Sequence, residues 1–373
     1  MPPVTSLLWR ARWLPVLLVA VYAVLLVVLA LPAVQTEFLF LHRVNLPLPS
    51  KLDHPEHYGL APFKTRNLKL TTSDGERIGA WHILPRSYYR LVDPFPPSHA
   101  LTDDEFEQAF IERPTVLYFH GNAANRAAPF RVRGYSAFST QLDCNVLAID
   151  YRGFGDSTGS PSEDGVVRDA RAAWDYVAGH VERLARDRGE KVEAENMIIL
   201  VGQSMGTGVA SLLAGQLAQD GLNPRAIVLI APFYSAVELM LEYWLFDFIP
   251  LLQPLRLFPK LQAFFQSRLA HPFKSSQALM TTSSPILLNH AVTDTVIPHS
   301  HSARLFEDLR SHSQVPPARV HDTHYGGWGH VRSFTRDHVA AGPVFWWEGL
   351  AGGHNNLGWT EGVMDLIAKV AGL

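Results

Sequence analysis

Gly202-Gln203-Ser204-Met205-Gly206 stands between a short apolar run rich in β-branched residues, 197–201, and a stretch at 207–218 that reads as a helix. The run has the composition of a buried parallel strand. G-x-S-x-G between a strand and a helix is a nucleophile elbow. A serine on so tight a turn needs small neighbours two residues to either side. The turn also sets it at a helix amino terminus, whose N–H groups favour developing negative charge. The chemistry this predicts is attack by Ser204 on a carbonyl carbon. A plain glycine-rich turn shares the bare pattern but not the strand and helix that flank it.

A serine hydroxyl is a weak nucleophile. It needs a general base, a carboxylate to orient that base, and donors for the oxyanion. With a nucleophile elbow the chain order is nucleophile, acid, histidine. Asp294 suits the second role: 286–290 reads as a strand and 291–298 as the loop that follows it. An Asx-type turn or a helix cap is the structural alternative for this aspartate. His354, in Gly352-Gly353-His354-Asn355-Asn356, follows the apolar segment 344–348 and precedes a final helix, and its glycines let the loop close on Ser204. His330, in Gly327-Trp328-Gly329-His330, is the rival base. It is nearer Asp294 in sequence but has no closing helix of its own.

The expected oxyanion donors are the backbone N–H of Met205, next to the nucleophile, and that of Asn122. Asn122 lies in Phe119-His120-Gly121-Asn122-Ala123-Ala124-Asn125, the loop after the first strand of the alternating region. His120 reads as a fixer of this loop rather than a base. The turn 151–157 places Arg152 and Asp156 in a scaffolding hydrogen-bond network. His299, His301, His321 and His324 raise the question of a metal, but no H-x-x-E-H or paired-cysteine pattern accompanies them, and neither metal nor cofactor is expected. The single cysteine, Cys144, adjoins an apolar strand and reads as a packed, inert thiol.

These residues need a scaffold, and the pattern supplies one. Strands are expected at 115–119, 145–150, 197–201, 226–230, 285–290 and 344–350, with helices at 130–141, 163–188, 302–310 and 361–370. Strands alternating with helices mean a mostly parallel sheet covered on both faces. A hairpin at 66–71 and 78–84 opens the body, around the turn Ser73-Asp74-Gly75. An insertion at 86–113 follows, proline-rich and then acidic and helical around 103–111, and reads as a surface excursion. The alternation breaks again at 232–280. There Trp244, Phe246, Phe248, Leu257, Phe258 and Phe264 stand among many large apolar residues cut by Pro250, Pro254 and Pro259. Helices packed on the core are one reading. A cap over the catalytic mouth that takes an acyl chain or touches a bilayer is the other.

With 373 residues, 47% hydrophobic, 18% charged and a net charge of −3, the chain suits one large globular body and carries no electrostatic footprint for nucleic acid. No residue from 13 to 36 is charged. At about 1.5 Å per residue, about 20 apolar residues cross the hydrocarbon core. The run exceeds the roughly 7–15 apolar residues of a signal peptide, and no clean cleavage site follows. A single membrane anchor at about 13–34 is therefore expected within the amino-terminal region 1–36, followed by a juxtamembrane linker, 37–65, and a catalytic body, 66–373. Trp9 and Trp13 sit where an interfacial belt would be. Arg10 and Arg12 before the span, against Glu37 soon after it, put the amino terminus in the cytosol and the body across the membrane. The membrane expected is that of the endoplasmic reticulum, with a lumenal catalytic body.

Taken together, His120-Gly121-Asn122, the run 150–155, Gly202 to Gly206, Asp294 and Gly353-His354-Asn355 resemble the α/β-hydrolase superfamily. Within it the chain is similar to membrane-anchored α/β-hydrolase-domain proteins that act as monoacylglycerol and lysophosphatidylserine lipases, in a fungal-type version. The resemblance covers about 66–373, and the amino-terminal anchor fits it. It implies an α/β-hydrolase fold with a small helical cap, preceded by one transmembrane helix. It implies a serine hydrolase that cleaves carboxylic esters of lipids through an acyl-enzyme, with Ser204, Asp294 and His354 catalytic, Asn122 and Met205 as the oxyanion hole, and no nucleic-acid partner. Asn356 departs from the family, whose members often carry an acid there, and 311–342 is longer than the fold needs. An acyl-protein thioesterase or a peptidase would share the triad. A catalytically dead hydrolase fold serving as a binding module is the non-enzymatic alternative, against which the complete residue set argues.

Overall fold

The computed structural model describes residues 12–242, 244–245, 249–336 and 341–373. Its centre is a ten-stranded sheet: β1 Thr65–Thr71, β2 Arg77–Ile83, β3 Thr115–Phe119, β4 Asn145–Ile149, β5 Ile198–Gln203, β6 Ala226–Ile230, β7 Ile286–Ala291, β8 His321–His324, β9 Gly329–Phe334 and β10 Val344–Gly349. The spatial order is β1-β2-β4-β3-β5-β6-β7-β10-β9-β8. From β4 to β10 every neighbouring pair is parallel. Antiparallel hairpins close both edges, β1/β2 on β4 and β9/β8 on β10. Every residue of β3 to β7 is buried. Strands covered on both faces have no solvent side to alternate with, so they read in sequence as unbroken apolar runs.

Among the described residues the α-helices of five residues or more are α1 Leu14–Leu29, α2 Pro32–Phe40, α3 Asp103–Glu112, α4 Pro129–Thr140, α5 Glu163–Arg188, α6 Met205–Gln219, α7 Ala236–Glu242, α8 Pro259–Gln266, α9 Ser275–Leu279, α10 Ser300–His312 and α11 Glu361–Ala371. α5, α6 and α10 pack on one face of the sheet through Val177, Leu213 and Leu305, while α4 and α11 cover the other through Tyr135, Phe138 and Ile367. α5 shows why these boundaries were legible. Ser162 accepts from the Gly165 N–H at its start, Glu163 and Asp164 fill the first turn, Arg186 and Arg188 the last, and Gly189 ends it at φ 69°. α3 has a capping box in which Thr102 and Glu105 satisfy each other's backbone N–H groups. The insertion that carries α3 is more than a surface excursion: Phe110 is fully buried in the core and stacks on His82 with centroids 4.2 Å apart.

Three regions differ from expectation. The long segment after α10 is not surplus loop; it supplies β8 and β9, which widen the sheet by two strands. β8 is exposed along its whole length, so its sequence, His-Asp-Thr-His, carries no apolar alternation and only pairing to β9 makes it a strand.

The apolar run at 13–34 is not one continuous helix. α1 ends at Leu29, Leu31 is extended (ψ 124°), and Pro32 starts α2, with the two helices bent by 82°. Proline lacks the N–H that would continue α1 but suits the first turn of a new helix. No single described helix is long and apolar enough to cross a membrane; the bent pair passes that test only together. Trp9 and Arg10 lie outside the described residues.

Finally, the apolar stretch within 232–280 packs mainly against neither the sheet nor solvent. Leu241, Leu251, Leu252, Leu255 and Phe265 cluster with Leu29, against which Leu25, Leu26 and Phe38 also pack. Buried Gln35 donates to the carbonyls of Leu29 and Arg268 and accepts from the Ala270 N–H. Leu257, Phe258, Leu261 and Phe264 remain exposed, as does most of the outer face of α1. Phe246 and Phe248 lie outside the described residues.

Candidate active site

Ser204 sits between β5 and α6 at φ 53°, ψ −124°, a conformation that non-glycine residues avoid. Its N–H donates to the Ile230 carbonyl at 2.9 Å, and its carbonyl accepts from Thr207 N–H at 2.9 Å and Thr207 Oγ1 at 2.7 Å. The flanking glycines are required by contact. A Cβ on Gly206 would lie 2.0 Å from the Phe119 carbonyl oxygen, and one on Gly202 would lie 2.3 Å from that of Gly206.

The loop after β10 turns through Gly352 (φ 128°) and Gly353 (φ 62°) and delivers His354 to the serine. Its Nε2 is 2.9 Å from Ser204 Oγ, and its Nδ1 is 2.8 Å from Asp294 Oδ2. In that arrangement Nδ1–H donates to the carboxylate and Nε2 is free to accept the serine proton. Asp294 stands in the loop after β7. Its Oδ1 accepts the N–H groups of Val296 and Ile297 at 2.8 and 3.0 Å, so the Asx turn and the imidazole contact coexist. Burial pushes its carboxyl upward, but hydrogen bonds from His290 and His354, the charge at His354 and the Ile297 N–H outweigh this and hold it well below the usual carboxylate range. It therefore stays ionised at neutral pH.

The loop from Gly121 to Asn125 presses on the serine: a Cβ on Gly121 would lie 3.1 Å from Ser204 Cβ. Ala123 and Ala124 both adopt positive φ, 53° and 51°, which an L residue holds only when its surroundings over-determine it. Two sets of partners do so. Arg131, on α4 and 1% exposed, donates from Nη2 to the carbonyls of Gly121, Asn122 and Ala123 at 3.1, 3.1 and 2.9 Å, and from Nη1 to Asn125 at 2.9 Å. From the other side, the N–H groups of Ala123, Ala124 and Asn125 donate to the carbonyls of Phe40, Val44 and Leu46. Among the described residues the N–H groups of Asn122 and Met205 have no such protein acceptor, and both residues line the cavity above Ser204. That cavity is about 320 Å³ and mostly apolar, walled by Phe38, Leu39 and Leu41 on one side and Leu239 and Met240 on another.

The remaining residues that sequence reasoning singled out have other partners. His120 is fully buried and donates from Nδ1 to the Gly121 carbonyl; burial, with the charge of Arg131, lowers its pKa and keeps it neutral. Arg152 and Asp156 sit in two separate networks rather than one. Arg152 holds Asp74 and Asp169, whereas Asp156 binds Arg126, which also grips buried Asp150. Cys144 is buried, and burial first of all pushes its thiol up to about 12, which leaves it unreactive.

His330 lies on β9 with Nδ1 3.0 Å from Asp322 and Nε2 2.8 Å from Glu348, so both ring nitrogens are engaged away from the serine. With His324 and Asp322 it brings three possible ligand atoms within 4.8 Å, a grouping that cross-strand pairing creates and sequence spacing did not reveal. Losing the ring's bonds to Asp322 and Glu348 should cost stability, about 1–3 kcal/mol, rather than rate. His330→Asn should thus keep kcat/KM within about threefold of wild type; abolished hydrolysis in a folded variant would instead make this ring the base.

Sequence reasoning missed Arg131, the wall from 38–41, and His290. The last is buried at the end of β7, with Nε2 3.0 Å from the Ile297 carbonyl and 3.3 Å from Asp294 Oδ2, and it helps fix the acid loop. Two polar residues, Asn289 and His290, at the end of an otherwise apolar strand were the one visible signal.

A serine on a strained strand-to-helix turn, at the carboxyl end of a parallel sheet, with histidine and aspartate delivered by later loops, defines the α/β-hydrolase class of serine hydrolases. The comparisons agree. Residues 113–282 match the model of the family described as serine aminopeptidase, S33, a match that includes Ser204 and ends before Asp294 and His354. The lysophosphatidylserine lipase ABHD12 of Danio rerio is 31% identical over 314 residues, covering 83% of this chain and 75% of that one. The same-named enzyme of Rattus norvegicus is 30% identical, covering 81% and 70%. A solved α/β hydrolase from Vibrio vulnificus shares the fold at 17% identity, with a TM-score of 0.53 over 89% of this chain and 86% of that one. The chain belongs to the ABHD12 family of α/β-hydrolases.

Proposed function

We propose that this enzyme cleaves the acyl ester of single-chain lipids, lysophosphatidylserine or monoacylglycerol, through an acyl-enzyme on Ser204. The observation that carries the reading is the mostly apolar cavity whose lining includes Ser204 and both candidate oxyanion-donor residues. His354 Nε2 takes the Ser204 proton as Oγ attacks the ester carbonyl, and the N–H groups of Asn122 and Met205 hold the oxyanion. As the tetrahedral intermediate collapses, His354 returns the proton to the leaving glycerol oxygen. Water, deprotonated by the same ring, then releases the fatty acid, while Asp294 holds the tautomer and steadies the imidazolium.

The domain plan belongs to the same reading: an anchoring region at 1–36, a linker at 37–65, and a body at 66–373 with an insertion at 86–113 and a cap at 232–280. Attachment to a membrane through the amino-terminal helices, with the body on the lumenal side of the endoplasmic reticulum, is supported by two things. The outer face of α1 and the cap residues Leu257, Phe258, Leu261 and Phe264 are exposed and apolar. The charges Arg12 and Glu37 stand on opposite sides of the uncharged run.

The matched family model carries a peptidase description, so the deciding experiment is a substrate panel on the purified full chain. Lysophosphatidylserine and a monoacylglycerol are expected to exceed an aminoacyl anilide at least about 100-fold in kcat/KM, since an aminoacyl group with its charged amine gains little from an apolar cavity. The reverse order would make the enzyme a peptidase, and a preference for acyl-peptide thioesters would make it a thioesterase.

A further inference from the structure

We propose that residues 38–46, the last residues of α2 and the segment that follows, are a working part of the active site rather than a tether: their side chains form the acyl-chain wall, and their carbonyls hold the oxyanion loop. This deepens the lipid-esterase reading and rests on it. Phe38, Leu39 and Leu41 line the same cavity as Ser204, Asn122 and Met205. Between them Phe40 is fully buried, edge-on to His271 at 5.2 Å and Phe273 at 6.2 Å. Driving Phe40 into the core while Leu41 takes positive φ (48°) leaves Leu41 on the cavity side. The carbonyls of Phe40, Val44 and Leu46 then accept three consecutive N–H groups, from Ala123, Ala124 and Asn125, at 2.9, 2.6 and 3.0 Å. The Asn125 side chain adds bonds to Asn45 at 2.7 Å and Ser50 at 3.0 Å.

A strap that starts at the end of α2 and continues as irregular chain thus runs along the oxyanion loop, and the loop's two left-handed alanines are bonded to it. The strap is in turn fixed by α2, which Gln35 and Thr36 tie to residues 268–271. The fitting ligand is an unbranched acyl chain, because leucine and methionine walls offer area without polar partners. The amino-terminal helices and the chemistry are therefore mechanically one unit, and the wall facing Leu239 and Met240 sets chain-length preference.

The test uses the full chain in detergent micelles with p-nitrophenyl esters from butyrate to palmitate. Leu39→Trp and Leu41→Trp should lower the palmitate-to-butyrate ratio of kcat/KM at least about tenfold, since one methylene in an apolar pocket already changes this quantity by about 10-fold or more. Leu41→Ala, which only removes atoms and so guards against misfolding, should move the optimum towards longer or bulkier acyl groups. Inserting two glycines between His42 and Arg43 should lower kcat for butyrate at least about tenfold with KM nearly unchanged, and slow fluorophosphonate labelling in step. An unchanged chain-length profile in folded Trp and Ala variants, with Ser204→Ala inactive, overturns the wall assignment alone. Full activity in Ser204→Ala overturns the catalytic reading beneath it.

Discussion

Ser204→Ala is expected to reduce kcat for lipid-ester hydrolysis by about 10⁶-fold with little change in KM, and to abolish fluorophosphonate labelling. Removal of a nucleophile that acts only as the transition state forms costs rate without costing ground-state binding. At about 1.4 kcal/mol per factor of ten, this loss corresponds to about 8 kcal/mol of transition-state stabilisation. The expectation rests on the geometry: Ser204 Oγ is the atom His354 Nε2 reaches, at 2.9 Å. Asp294→Asn keeps the shape but presents an amide to Nδ1, which favours the wrong tautomer, and should cost about 10⁴-fold. Because Asp294 is held ionised well below the usual carboxylate range, its charge is constant across the working pH range. The double variant should be no worse than Ser204→Ala, since the residues act as one unit. Undiminished labelling of Ser204→Ala would end the assignment.

Arg131→Ala is expected to lower kcat about 10²-fold while KM stays within a fewfold, and added guanidinium should restore part of the loss. The reason lies in the planarity of the peptide bond. Within one peptide unit the C=O and the following N–H point in opposite directions. Arg131 Nη2 draws the Gly121 carbonyl to 3.1 Å, which turns the Asn122 N–H of the same unit away from α4 and towards the cavity. Without the guanidinium that unit is held only by the His120 Nδ1 bond to the Gly121 carbonyl, and loss of one oxyanion donor costs about 10²–10³ in kcat. The Asn122 and Ala123 carbonyls also lose this donor, while those of Gly121 and Asn125 keep His120 Nδ1 and the Ala128 N–H, so a fall in Tm is expected as well. A merely structural role would lower Tm and leave kcat of the folded fraction unchanged, with nothing for guanidinium to rescue. That outcome would sink the positioning role. Arg131→Lys should fall between, because one ammonium can reach some of these oxygens but not all four at once.

The readable parts of the chain were those with local causes. Gly202 is demanded by the Gly206 carbonyl within the same turn, α5 carries its own cap and stop, and β3 to β7 are mostly apolar because both their faces are covered. The order serine, aspartate, histidine followed from those elements, and the structure brings the three side chains within hydrogen-bond reach. The break at Pro32 had a visible cause too, but the uncharged run around it read as one span.

Other features had no local signal. β8 is a strand only because β9 offers it a ladder. Arg131 looks like any helical arginine until α4 is laid under the loop after β3. Residues 40–46 read as the start of a linker, yet they meet residues 123–125 about 80 positions away. By itself the sequence determined which residues could react and the class of scaffold that carries them, since burial, turn strain and capping act within a few residues. Only the tertiary structure decided what walls the cavity and what holds the oxyanion loop, because those contacts arise where distant segments pack, and no periodicity along the chain encodes them.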